Sequence, residues 1–132
     1  MSLDEEKRAL VVRMEMEKAQ CTMKEAEVLI EKELWSAAAG RVYYALFHAV
    51  DALLIHDGHR IKSHKGAYTQ FCLHYVVSGK FPKEAGNLYR QLEIMREESD
   101  YNCFYEVTPE ELRQRLVPAK EMIATIAEMV KE

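Results

Sequence analysis

Residues 38–54 read Ala38-Ala39-Gly40-Arg41-Val42-Tyr43-Tyr44-Ala45-Leu46-Phe47-His48-Ala49-Val50-Asp51-Ala52-Leu53-Leu54. Alanine and leucine favour helix, and apolar side chains fall on nearly every side of it, the pattern of a helix buried almost all round. It is predicted to run from about Leu34 to Asp57 and to be stopped by Gly58, which supplies the left-handed turn that ends many helices. Four residues interrupt the apolar surface. At 100° per residue, Arg41, Tyr44, His48 and Asp51 lie within about 80° of one another and stack over three turns. This polar stripe would face the bundle interior or a cleft. Burying its charges unpaired would cost several kcal/mol, so they must meet partners.

The flanking segments read as helices too. Val12, Met16, Ala19, Met23, Ala26 and Ile30 recur four and three apart, one apolar seam along a helix predicted over about residues 4–32, with Ser2 and Glu5 as its capping box. Ser63 is placed to cap a third helix through Phe71 and Tyr75, closed by Gly79. Pro82 suits the first turn of a fourth that reaches about Tyr101. Thr108-Pro109-Glu110-Glu111 combines an N-cap, a first-turn proline and a capping-box glutamate, so a fifth helix starts there, with Pro118 kinking it further on. No period-2 alternation is long enough for a strand, and no segment repeats. The expected architecture is all-α, an up-and-down bundle of four to five helices forming a single domain over residues 1–132.

Composition narrows the function classes. A chain of 132 residues, 48% hydrophobic and 30% charged, can bury roughly two-thirds of its unfolded surface, enough for a real core. A net charge of −4 excludes a broad basic face that would hold nucleic acid by bulk electrostatics, so any anion site must be local. Cys21, Cys72 and Cys103 form no CxxC pair and fit reduced thiols. The acidic start is unlike a signal peptide, and the apolar stretch Val42 to Ile55 falls short of the about 20 residues a bilayer requires. A cytoplasmic protein without membrane contact is expected.

Three places could carry chemistry. In the stripe, Arg41 and Asp51 could satisfy one another while His48 bonds a tyrosine, a purely structural network. Alternatively, His48 could move a proton while a guanidinium holds a phosphate. In the second place, His59, Arg60, Lys62, Ser63, His64 and Lys65 make a basic knot at a helix start, suited to a phosphate or RNA, or else simply solvated. His56, His59 and His64 lack metal-ligand spacing and a carboxylate partner, so no metal or other cofactor is expected. In the third, Arg96 and Asp100, one turn apart, should pair, with Tyr101 and Tyr105 nearby to cover aliphatic surface or stack a base. Met14, Met16, Met23 and Met95 read as core or dimer-seam fillers.

Residues 38–54, then Ser63-His64-Lys65-Gly66, then Arg96-Glu97-Glu98-Ser99-Asp100-Tyr101, together resemble the HEPN family over nearly the whole chain. The resemblance implies a helical up-and-down bundle, a homodimer and often a minimal nucleotidyltransferase as partner. Active members of that family are metal-independent ribonucleases, frequently toxins, that use an arginine followed a turn or two later by a histidine. Mapped to the fourth helix, Arg96 matches the arginine and Tyr101 stands at the histidine position, a poor base at neutral pH. Mapped to the second helix, the pair is Arg41 and His48. Either way Arg41, His48 and Arg96 are the candidate catalytic groups, with Tyr44, Asp51, Asp100 and Tyr101 around them. Three functions follow: an accessory module engaging RNA or a nucleotide beside a nucleotidyltransferase in a toxin–antitoxin-like system, a ribonuclease toxin, or a structural dimerisation module.

Overall fold

The computed structural model describes residues 3–59 and 63–131. Helix α1 spans Leu3–Glu31, α2 Trp35–His56, α3 His64–Phe71, α4 Lys83–Tyr101 and α5 Pro109–Met129, and the described residues contain no strand. The all-α bundle expected from the sequence is the fold observed. Ser2, Arg60 and Lys62 lie outside the described residues, and with them the expected α1 capping box and two members of the basic knot.

Helix α2 is the axle of the structure, packing against α1, α3, α4 and α5. Ala38, Val42, Ala45, Leu46, Ala49, Val50, Ala52 and Leu54 are fully buried along it. Alanine at several of these positions lets neighbouring helices approach closely, while the larger side chains fill the space between them. By length and composition alone α2, 22 residues from Trp35 to His56, could cross a bilayer. The expectation that the apolar stretch is too short counted only its central part. In the structure this apolar surface is covered by the other helices.

Helix α1 lies along α2 by the seam its periodicity indicates: Val12, Met16, Ala19, Met23 and Ala26 are buried, with Ile30 packed at the edge. The two are joined by a tight turn in which Leu34 N–H donates to Leu29 O and Glu33 N–H to Ile30 O, each at 2.9 Å. This is a Schellman closure with Glu33 in the left-handed position at φ 59°, where glycine is the usual occupant. The end of α2 repeats it in ordinary form: Gly58 at φ 84° donates to Ile55 O at 3.0 Å and His59 donates to Leu54 O at 2.8 Å.

The remaining boundaries differ in detail from expectation. Ser63 caps α3 by accepting from Gly66 N–H at 2.9 Å. Beyond Phe71 the chain relaxes into a wider π-helical turn over Cys72–Val76 rather than continuing as α-helix. Phe71 and Tyr75 are still placed inward, where Phe71 packs with Tyr75, Phe81 and Tyr89. Pro82 is the N-cap of α4, with extended backbone, one residue ahead of the first-turn position expected for it. Thr108 and Glu111 form the reciprocal capping box as read from the sequence, both bonds at 3.1 Å, and α5 runs on through Pro118.

Candidate functional site

The polar stripe of α2 does not close on itself. Arg41 and Asp51 stand nearly three turns apart, about 15 Å along the axis, too far for one side chain to reach the other. Each instead finds a partner on another helix. Arg41 pairs with Glu25 of α1 at 3.5 Å, and His48 Nδ1 meets Glu15 of α1 at 3.0 Å, a carboxylate where a tyrosine was expected. Asp51 shares a hydrogen bond with the same Glu15, and burial followed by that neighbouring carboxylate pushes its pKa up to about 7.

At the N-terminal half of α2 the stripe joins α4. The Arg96 guanidinium lies over two adjacent tyrosine rings, 5.2 Å from the centroid of Tyr43 and 5.7 Å from that of Tyr44. Arg41 approaches the Tyr44 ring as well, at 5.3 Å. Tyr44 therefore sits between two cations attracted to its π-electrons. Gly40 lies beside Arg96, where a Cβ would make ordinary contact with Arg96 Cγ at 4.0 Å. Arg96 pairs with Asp100 at 3.5 Å, the one-turn pairing expected, while its Nε is buried without a hydrogen-bond partner. A recess of about 290 Å³ lined by Gly40, Arg41, Tyr44, Arg96 and Asp100 opens at this point.

His64 completes the cluster from an unexpected direction. Grouped by sequence with the surface knot, it turns inward from the first position of α3. Its ring stacks on Phe47 at 4.1 Å, stands edge-on to Tyr44 at 5.6 Å, and its Nδ1 is 3.1 Å from the Tyr43 hydroxyl. Which of the two atoms carries the proton depends on the imidazole tautomer. Burial, then the nearby Arg96 and His48, hold the pKa of the His64 imidazole below its ordinary value, so the neutral form prevails at pH 7. Tyr43 is fully buried, and burial followed by the nearby Glu93 raises its hydroxyl well above the usual phenol range. It keeps its proton throughout the physiological range. Glu93, one of two buried polar side chains among the described residues, pairs with Arg90 beneath these rings.

The structure thus separates the candidates. Arg41, Tyr44, Arg96, Asp100 and His64 gather at the first half of α2, while His48 and Asp51 belong to a second group with Glu15 one to two turns further on. Both His48 and His64 touch the Phe47 ring, at 5.4 and 4.1 Å, which makes the groups adjacent. Tyr101 is 82% exposed at the end of α4. Lys65 is exposed, and Ser63 is engaged in capping. The remaining histidines have partners of their own. His56 bonds Asp57 at 2.8 Å and His59 stacks on His74 at 3.7 Å, and no group among the described residues is arranged to hold a metal ion.

Sequence reasoning missed Glu15 and Glu93. Glu15 follows Met14 on a helix rich in exposed glutamates and looks like any of them. Glu93 did leave a signal: it lies one turn before Arg96 and one residue after the core Leu92, on the inward side of an amphipathic helix.

In class, the protein is an all-helical bundle whose central helix sets Arg41 and Tyr44, with Arg96 of α4, around a shallow recess. The chain belongs to the HEPN domain family, whose model matches residues 12–130. It is similar to a "UPF0332 protein" of Thermotoga maritima, 30% identical over 108 residues that make up 82% of each chain. It is also similar to a Methanocaldococcus jannaschii protein bearing the name "putative toxin", 30% identical over 117 residues, 89% of this chain and 87% of that one. A second protein of that organism with the same kind of name is 27% identical over 96 residues, 73% of this chain and 65% of its own.

Proposed function

We propose that this chain is the toxin-like component of a toxin–antitoxin-like pair and acts on RNA, binding a phosphodiester at the recess beside Arg96 and cleaving it without a metal. The observation that supports this reading is the convergence of Arg96 from α4 and His64 from α3 on the same tyrosine pair of α2. A guanidinium that never loses its charge and an imidazole that is neutral at pH 7 are the two groups such a reaction needs. The names of the Methanocaldococcus relatives support the toxin setting. The family resemblance supports a minimal nucleotidyltransferase as the partner and a homodimer as the working unit, and the three unpaired cysteines support the cytoplasm as the location.

In the proposed reaction His64 uses the tautomer whose Nδ1–H donates to the Tyr43 oxygen, leaving Nε2 to take the proton of a ribose 2′-hydroxyl. The freed 2′-oxygen bonds to phosphorus, the bond from phosphorus to the 5′-oxygen breaks, and His48, entering the reaction in its doubly protonated form, gives its Nε2 proton to that leaving oxygen. The products are a 2′,3′-cyclic phosphate and a 5′-hydroxyl. Arg96 stabilises the negative charge on the phosphoryl oxygens, and Arg41 holds the neighbouring phosphate. His64 takes the basic role from Tyr101, the residue that stands at the family's histidine position.

The test is incubation of the purified chain with RNA and with the all-deoxy strand of the same sequence, both in chelator. Cleavage of RNA alone, ending in a cyclic phosphate and lost in Arg96→Ala and His64→Ala, is expected. Cleavage that persists in both variants, or RNA that neither binds nor reacts, overturns the reading.

A further inference from the structure

His48, Glu15 and Asp51 form a chain of side chains one to two turns along α2 from the recess. Glu15 reaches across from α1 and occupies the Nδ1 side of His48 at 3.0 Å, with both side chains only about a fifth exposed. A carboxylate cannot donate, so the bond requires a proton on Nδ1. Nε2 is then the nitrogen left to lose and regain a proton. Asp51, one turn beyond His48 on α2, hydrogen-bonds the same Glu15. Below about pH 7 Asp51 keeps its proton and donates it to the Glu15 carboxylate, because two adjacent negative charges in a half-buried site repel.

We propose that Glu15 is the positioning residue of this site: it holds His48 in the Nδ1–H form so that proton exchange occurs at Nε2, and Asp51 holds Glu15 in place through the shared proton. The assignment rests on the RNA-cleaving reading for its purpose, while its geometry stands without RNA. Groups on each neighbouring side enter its pH response. Lys7 and Arg8 of α1 line the groove that Asp51 also lines, together with Asp4. His64 of α3 interacts electrostatically with His48. On α4, Tyr89 feels the Asp51 charge, and Arg96 and Glu93 both act on His64. Tyr89 is completely buried and raised far above the phenol range, first by burial, so it remains neutral and does not compete for the shared proton.

Nitrogen NMR of the RNA-free protein reads the His48 tautomer directly, and carboxyl carbon NMR reads the Asp51 titration. In the wild-type chain neutral His48 is expected as Nδ1–H. Glu15→Gln, whose side-chain oxygen can still accept, keeps that tautomer and moves the Asp51 midpoint down from about 7 toward the ordinary carboxylate range. Glu15→Ala releases the tautomer to a mixture. RNA cleavage by the same variants should fall about tenfold or more in Glu15→Ala at unchanged KM and less in Glu15→Gln, as loss of an oriented proton-transfer group predicts. A His48 tautomer identical in wild type and Glu15→Ala overturns the proposal, and so does an Asp51 midpoint that ignores Glu15→Gln. If Glu15→Ala fails to fold, as circular dichroism would show, the Glu15→Gln result alone decides. NMR changes as expected with no RNA cleavage in any variant would sink the RNA reading and leave the role of Glu15 in holding His48 standing.

Discussion

The two halves of α2 carry the same kind of polar stripe and use it differently. In the first half, Arg41 and Tyr44 meet Arg96 of α4 through ring faces, and the contacts are cation on aromatic at 5.2 to 5.7 Å. In the second half, His48 and Asp51 meet Glu15 of α1 through hydrogen bonds, His48 at 3.0 Å. The first arrangement leaves cations beside an open recess, where they can attract an anion. The second satisfies its groups within the protein and fixes how a proton is shared. A single helical stripe is thus divided between ring contacts and hydrogen bonds by which neighbour each turn faces.

The most damaging way to break the first half is Arg96→Ala. On the proposed function it should lower the rate of RNA cleavage about 100-fold or more, the cost typical of removing one donor to a developing oxyanion. Arg96→Lys should restore little, because an ammonium neither spreads over two tyrosine rings nor offers a planar pair of donors. A cleavage time course in chelator checks both, and equal activity of the lysine variant would argue against the ring-stacked geometry.

The second half is probed by Asp51→Asn and pH. The Asp51 pKa is raised in the folded chain, so the native state binds the proton more tightly than the unfolded state does. The stability this contributes is full below the ordinary carboxylate value and is lost as pH rises through about 7. Asn cannot ionise, so the variant should gain about 1–2 kcal/mol on the wild type between pH 5 and pH 8, after discounting for solvent screening. Thermal unfolding at the two pH values measures it, and a difference that does not change with pH would mean that Asp51 ionises freely.

His64 has the opposite sign. Its imidazole is held below the ordinary value, so the stability tied to its neutral form is present above about pH 6.5 and is lost as pH falls toward the lowered folded value. His64→Gln should remove the part of the acid-side loss that His64 contributes, and any accompanying shift of the Asp51 midpoint measures the coupling of the two halves through His48.

The smallest effects lie outside both. Thr108→Ala removes the α5 capping box and should cost about 1 kcal/mol in urea unfolding without altering RNA cleavage. Glu33→Gly relieves the left-handed glutamate between α1 and α2 and should raise stability by about 0.5–1 kcal/mol, part of the relief being offset by the freedom glycine gains in the unfolded chain. If Glu33→Gly also shifts the Asp51 titration, the alignment of α1 on α2 is what sets the Glu15 contact.

The sequence by itself determined what local rules can determine. The apolar seam of α1, the nearly all-round apolar surface of α2, the Gly58 stop and the Thr108–Glu111 box each act within a few residues of chain, and each is found where its pattern placed it. The stripe from Arg41 to Asp51 was legible for the same reason, since helical periodicity fixes which residues share a face. Its partners were not. A spacing of three or four says that two residues point the same way, but it says nothing of what stands opposite. Glu15 is one glutamate among many on α1 until that helix packs on α2, and His64 is a surface cation until the first turn of α3 swings it over Phe47. Those pairings depend on the alignment of whole helices, which buried apolar area fixes. The polar groups take the neighbours that packing delivers, and only the tertiary structure decided which carboxylate, which ring and which arginine they met.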